Sequence, residues 1–574
     1  MNASGHIFLS VLVAAAVARA QPLAPAASSL PPDAPASSAA ENSAPSTTAG
    51  DGDVIVPVLK GLVFVAANTA VQPQGVTADG LDVAAIPLLQ TPEFRALVAP
   101  YLGRPAGLRV LNQLTRDVVL YCRAHDRPVV DVLVPEQNVQ TGTVQILVIE
   151  GRLGQVRAEG EKWFSAAAIT GPIRLGPGEV ITSRSLLDDL AWINRNPFRQ
   201  VDLVFTRSPN PGETDLVLRT TDRLPLRLSA GYEDSGNALT GFDRVVAGVY
   251  WGNAFGLDQE LTYQLSASPD FRKVVAHSGS YTVPLAAWRH TFTLFGSYAE
   301  SRPDLAGGFF TLKGRAWQVS ARDRIPLPTV GAFTQDLTGG IDFKRSNNNL
   351  AFGGMQVFAQ ETDVVQAVAA YTVSRSDRLG TIGGTVTLAL SPGGLSAGNR
   401  TGVFRAARSY ARANYAYVRG EVERTTRLPA GLSWIVRGTG QFATANLLSS
   451  EQLGFGGAES LRGYEDHEAN GDDGFILSNE LHARAGRVAS HLGWADATDR
   501  LDPLVFWDYG IARSKTLLPG EAAHIEMSSV GIGLRYGFGA TFSLRADYGW
   551  QLKDSGVSDG RRSSRGHISA TLAY

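Results

Sequence analysis

Residues 542–550 read Phe-Ser-Leu-Arg-Ala-Asp-Tyr-Gly-Trp, and 567–574 read His-Ile-Ser-Ala-Thr-Leu-Ala-Tyr. Phe542, Leu544, Ala546, Tyr548 and Trp550 fall on one face of a strand. Ser543, Arg545, Asp547, Gly549 and Gln551 fall on the other. Ile568, Ala570, Leu572 and Tyr574 carry the alternation to the last residue. Period two with charge confined to one face fits a transmembrane β-barrel strand, apolar toward lipid and polar toward a wet lumen. An antiparallel sheet packed on a core also alternates. Several such strands, an aromatic final residue and no helix behind them favour the barrel.

The strand pattern extends far upstream. Segments 226–232, 261–266, 291–298, 337–343, 381–388, 411–418, 434–438 and 530–538 all alternate, and Gly, Asn, Asp, Pro and Ser fill the turns between them. The chain holds 61 glycines, as many β-turns require. Residues 225–574 leave room for roughly 14–18 crossings of about 10 residues each, so the spacing predicts a barrel of about 16 antiparallel strands. A barrel of that size encloses a lumen wide enough for water or a plugging loop.

The start of the chain reads as a targeting segment. Ile7 to Val17 is apolar, and Ala18-Arg19-Ala20 is a small-x-small cleavage site, so residues 1–20 are expected to be a secretory signal peptide. No later run is long and apolar enough for a transmembrane helix. Export together with a weakly hydropathic barrel points to the outer membrane of a Gram-negative cell. Residues 21–53 are mostly Pro, Ala, Ser and Thr and read as a disordered linker.

Between linker and barrel lies an α/β stretch. Helices are expected over 91–102 and 107–125, the latter from the spacing of Leu108, Leu111, Leu114, Val118 and Tyr121. Strands follow at 129–134 and 143–149. A second unit has a strand from Val156, a helix from Ser183 to Asn194 with Ser183 as its cap, and strands at 201–205 and 214–219. The two units, 54–153 and 154–222, form a weak internal repeat. Cys122, the single cysteine, excludes an intramolecular disulfide and a cysteine metal site, and reads as a buried helix residue. The net charge of −2 argues against nucleic acid as a partner.

The stretch 447–481 contains Gly456-Gly457 followed by Leu461-Arg462-Gly463-Tyr464. In this order, after a signal peptide and two α/β units, it resembles the signature of the two-partner secretion transporters, the haemolysin secretion/activation (ShlB/FhaC-like, TpsB) proteins. Val134-Pro135-Glu136-Gln137 through Ile149-Glu150-Gly151-Arg152 resembles the end of that family's first POTRA domain. Trp251-Gly252-Asn253 and Ser280-Tyr281-Thr282-Val283-Pro284-Leu285 resemble its early barrel hairpins. The resemblance spans roughly 54–574. It implies two periplasmic POTRA domains ahead of an outer-membrane barrel, with a long extracellular loop near 447–475 folded into the lumen. It further implies that Arg462 pairs with a wall aspartate, matched here by Asp508 in Val505-Phe506-Trp507-Asp508, with Phe506 as the accompanying aromatic. A confined arginine needs a fixed anion, and its planar fork suits a carboxylate. Gly463 permits the turn that presents it. Asp472, Asp473 and Glu480 are alternative anions.

The implied activity is secretion of an unfolded exoprotein, captured at its amino-terminal domain by the POTRA domains and exported without nucleotide hydrolysis or cofactor. Outer-membrane lipid and, through the strand ending at Tyr574, the barrel-assembly machinery are implied as further partners. Family members often carry a plug helix before the POTRA domains, but the proline-rich 21–53 does not read as one. Two other functions compete. A barrel-assembly factor of the same superfamily usually carries three to five POTRA domains, and 54–222 has room for two. A passive porin explains the alternation but neither 54–222 nor Arg-Gly-Tyr. Enzymatic motifs are absent: the nine histidines show no metal spacing, and Gly454-Phe455-Gly456-Gly457 lacks the Lys-Ser/Thr of a phosphate loop.

Overall fold

A computed structural model describes residues 54–574, apart from 211, 239, 303, 306–309, 353–354, 490–497 and 558–562. The expected signal peptide (1–20) and linker (21–53) lie outside the described residues. Backbone packing divides the described chain at Leu224/Pro225.

The amino-terminal part contains two small α/β units of like connectivity. In the first, Thr143–Glu150 runs parallel to Gly61–Val65 and antiparallel to Val130–Leu133. In the second, Glu213–Asp222 runs parallel to Arg152–Glu159 and antiparallel to Arg199–Arg207. Each unit thus places its last strand at the centre, which gives the faint sequence repeat a structural meaning. The first unit adds an edge strand, Gly80–Asp82, beside Gly61–Val65. Its core forms where helix Leu108–Ala124 lays Leu111, Leu114, Val118 and Tyr121 on the sheet. Phe94, from helix Pro92–Val98, stands edge-on to Phe64 at 5.2 Å. Leu108, expected on the same face, is the first residue of the helix and is exposed. Thr91 caps the Pro92–Val98 helix by accepting from Phe94 N–H at 3.1 Å.

Three expectations are corrected here. Ser183 is the first helical residue, not the cap. Thr182 holds the cap position without a side-chain bond, and the free Arg184 N–H donates to Asp126 Oδ1 at 2.7 Å. The first strand of the second unit begins at Arg152, ahead of both Val156 and the expected boundary at 154. The segment from Ala411 becomes strand only at Asn414.

Cys122 is a free, fully buried thiol. Burial, reinforced by the Glu150 carboxylate, pushes it up to about 11. Because the thiolate is the reactive form, iodoacetamide at mildly alkaline pH should leave Cys122 unmodified in the folded chain. It should alkylate fully after denaturation. Rapid labelling of the native protein would contradict this burial.

Among the described residues, sixteen long antiparallel strands close into a barrel. In order they are Leu226–Asn237, Gly241–Ala254, Gln259–Ala267, Val274–Leu285, His290–Ser301, Phe310–Val330, Phe333–Phe352, Met355–Asp377, Gly380–Pro392, Asn414–Arg427, Ser433–Ala443, Asp473–His482, Asp499–Arg513, Ile525–Phe538, Phe542–Gln551 and Ser564–Ala573. A two-residue strand, Asp304–Leu305, flanks the sixth. Neighbours in sequence are neighbours in the sheet, and the first strand meets the last from Ser229↔Ala573 to Glu233↔Ser569.

Register explains the two faces. Trp434, Leu481, Val505, Ile532 and Tyr548 are successive cross-strand partners and form one outward row over five strands. All five are exposed to the surroundings of the barrel, which for a membrane barrel means lipid. Glu480, Asp508 and Asp547 point inward and are buried. No helix among the described residues is long and apolar enough to cross a membrane. The short helix Thr401–Ala407, in the connection after the ninth strand, was not expected from the sequence. Its seven residues are too few to establish a helical period.

Candidate functional site

The connection between the eleventh and twelfth strands, residues 444–472, turns back among side chains of the inner wall. Its expected tail at 473–475 instead belongs to the twelfth strand. The loop carries its own two-stranded ribbon, Leu453–Phe455 with Ala469–Gly471. Leu453, Phe455, Leu461 and Tyr464 bury against wall residues Ile476, Ala512 and Met527. Gly510 makes room for this: a Cβ there would lie 2.9 Å from both Leu461 Cδ1 and Phe455 Cδ1.

Arg462 stands at the centre. Its Nε donates to Asp508 Oδ2 at 2.8 Å and its Nη2 to Asp508 Oδ1 at 2.7 Å, a bidentate fork. Its backbone N–H donates to Asp508 Oδ2 at 3.1 Å. Nη1 donates to Glu480 Oε1 at 2.5 Å, and Nη2 to Ser478 Oγ at 3.1 Å. The guanidinium lies 3.6 Å from the Phe506 ring centroid, a cation–π contact on its remaining face. The side chains of Arg462 and Asp508 are 2% and 0% exposed, so lumen water does not reach either charge.

Leu461, Gly463 and Tyr464 set this geometry. Gly463 has φ +93°, the left-handed region that favours glycine. Its backbone abuts Gly549 on the fifteenth strand, and its carbonyl accepts from Gln551 Nε2 at 2.7 Å. The Tyr464 hydroxyl donates to Ser528 O at 2.8 Å and accepts from Ser528 N–H at 3.0 Å.

The three alternative anions separate cleanly. Glu480 is a second partner of Arg462 rather than a rival to Asp508. Asp472 is engaged by Arg408, at 2.6 Å and 3.0 Å, and Asp473 by Lys515 Nζ at 2.6 Å. Around the central pair lies a network that the sequence did not reveal. Glu480 also faces Arg437 at 3.3 Å and His482 at 3.0 Å. Asp547 accepts from Arg535 and Arg545, each at 2.8 Å, and lies 3.8 Å from Arg462. Arg545 reaches back to Glu459 of the loop. Period two set Arg545 and Asp547 on the polar face of their strand, but only the register brings the members of the network together. Chemically the arrangement is a dock: it fixes one loop against the wall through shared charges. No cluster of ligands suited to a metal ion occurs among the described residues.

Comparison with known proteins places this architecture. The model of the haemolysin secretion/activation protein ShlB/FhaC/HecB matches residues 212–536, and that of the ShlB-type POTRA domain matches 76–151. The heme/hemopexin transporter protein HuxB of Haemophilus influenzae is 22% identical over 466 residues, 79% of each chain. The outer membrane transporter CdiB of Dickeya dadantii is 23% identical over 408 residues, 68% of this chain and 70% of that one. Among solved structures, CdiB from Escherichia coli has a similar fold, with TM-score 0.68 at 18% identity, covering 98% of this chain and 95% of that one. With its family's model matching more than half of its length, this chain belongs to the ShlB/FhaC/HecB haemolysin secretion/activation family, the outer-membrane transporters of two-partner secretion.

Proposed function

We propose that this transporter captures one exoprotein in the periplasm through the sheet edges of residues 54–222 and passes it unfolded through the barrel. The docked loop 444–472 is the part of the path that must yield. The observation that carries this reading is the desolvated Arg462–Asp508–Glu480 cluster, which commits a long loop to the lumen. The strands Gly80–Asp82 and Val130–Leu133, and Arg152–Glu159 and Arg199–Arg207, are sheet edges onto which an extended segment can add. Folding of the exoprotein outside the cell supplies directionality without nucleotide hydrolysis. The lipid-facing rows solvate the barrel in the outer membrane, and the strand ending at Tyr574 offers the assembly machinery its signal.

Deletion of the gene in its native host should remove one large protein from the culture medium while other outer-membrane barrels keep their abundance. General depletion of those barrels would favour an assembly factor instead. A chain lacking 54–222 should still insert but export nothing. Normal export by that chain would refute capture by these domains.

A further inference from the structure

A second buried charge from the same loop docks on a different part of the wall. Glu451 lies between the end of the eleventh strand and the loop ribbon, and its side chain is fully buried. Glu451 Oε1 accepts from Lys344 Nζ at 2.8 Å and from Ser450 Oγ at 3.0 Å. Oε2 accepts from Gln366 Nε2 at 3.0 Å and from the Tyr417 hydroxyl at 3.2 Å. Its carbonyl accepts from Gln441 Nε2 at 3.1 Å. Gln366 is held in turn, donating to Asp342 Oδ2 at 3.0 Å and accepting from the Tyr415 hydroxyl at 2.9 Å.

Apart from Ser450 of the loop itself, the donors come from the seventh, eighth, tenth and eleventh strands. Because the loop leaves the eleventh strand, Glu451 reaches Lys344 past three intervening strands of the wall. The polarity is the reverse of the Arg462 dock. There a loop cation meets wall carboxylates on the twelfth and thirteenth strands; here a loop carboxylate meets a wall ammonium on the seventh. A buried carboxylate is stable only when its acceptors are met, and the structure supplies four donors, one of them charged.

We propose that Glu451 is a second anchor of loop 444–472, a positioning residue that with Arg462 holds the loop as a strap across the lumen. Two pins of opposite sign fix both the loop's place and its orientation, which one pin cannot do. The inference rests on the reading of this loop as the closure of the export path, so its test uses a readout that does not depend on export.

The experiment is single-channel recording of the purified full-length protein in planar phospholipid bilayers. Heat-modifiable migration on gels verifies in each case that the barrel has folded. Glu451→Gln preserves shape but removes the charge. It should raise the frequency of open events about tenfold, as should Lys344→Gln, because the first removes the charge that Lys344 holds and the second leaves the buried Glu451 carboxylate without its cation. The double variant should be no more open than the worse single, and the exchange of Glu451→Lys with Lys344→Glu should restore part of the closed state. Wild-type gating in folded Glu451→Gln and Glu451→Ala would overturn the proposal. So would additive effects of Glu451→Gln and Lys344→Gln, since they would place the two residues in separate interactions. Loss of export with unchanged gating counts against the anchor and leaves the export reading standing. Altered gating in a protein found to export nothing does the reverse.

Discussion

Arg462→Ala is expected to remove nearly all export while the barrel still inserts and remains heat-modifiable. The loss concerns the loop, not the sheet, because Arg462 belongs to no strand of the barrel. Its removal leaves Asp508 with Ser478 Oγ, at 2.7 Å, as its main remaining side-chain donor. Exposed ion pairs contribute only ~0–1 kcal/mol, whereas breaking a desolvated pair costs ~3–5 kcal/mol. Exposures of 2% and 0% place this pair in the second class. The docked loop should therefore lose about two to four powers of ten in its equilibrium against the undocked one. Asp508→Ala should be milder, because Glu480 still holds Nη1. The double variant should export no worse than Arg462→Ala alone. Export measured in the four-way cycle checks this: additive losses would mean that Arg462 and Asp508 act independently.

Gly549→Ala is the second large expected effect. Gly549 lies on the fifteenth strand, far in sequence from the loop, and carries no functional group. A Cβ on it would stand 2.7 Å from Gly463 N and 2.8 Å from Arg462 C. Both are backbone atoms, so no side chain can swing aside. The methyl group must push the Arg-Gly turn off the wall and take the Arg462 fork out of reach of Asp508. Export should fall to about the level of Arg462→Ala, with normal insertion. Gly549→Ala should also expose the loop to added protease in intact cells. Gly537→Ala is the control, since a Cβ there meets nothing within 4 Å. Normal export by Gly549→Ala would show that the turn does not need close approach to the wall.

These two residues illustrate what could be read from the chain and what could not. Arg462 and Asp508 were visible because each sits in a short motif that resembles the family's. Gly549 was visible only as a member of the polar face of 542–551. Its role arises from a contact across 86 positions (549 minus 463), which no local pattern encodes. The same holds for Asp547, set by alternation on the polar face of its strand, and for Arg535 and Arg437, which lie in alternating segments: their partners depend on register. Glu480 was weighed as a rival to Asp508 because a sequence carries no distances, whereas one guanidinium has donors enough for both. Strands were clearest where apolar and polar residues alternate strictly, as at 530–538. The twelfth strand, Asp473–His482, hid inside the loop motif because Asn479 interrupts its outward row of Phe475, Leu477 and Leu481, while the apolar Ile476 stands in the inward row with Ser478 and Glu480. The sixth strand, Phe310–Val330, carries Arg322, Asp323 and Arg324 in succession, which breaks the period locally.

The seam of the barrel has a kinetic consequence. The first and last strands pair from Ser229↔Ala573 to Glu233↔Ser569, a shorter register than that between any other neighbours of the sixteen. Ser229 and Ala573 are also 344 positions apart (573 minus 229), while every other pairing joins strands adjacent in sequence. Joining distant segments costs chain entropy before any ladder bond rewards it. Hairpin-by-hairpin growth can therefore proceed early, and the join that completes the cylinder is expected to form last. Until then the nascent sheet keeps two unpaired rims, open to whatever strand reaches them first.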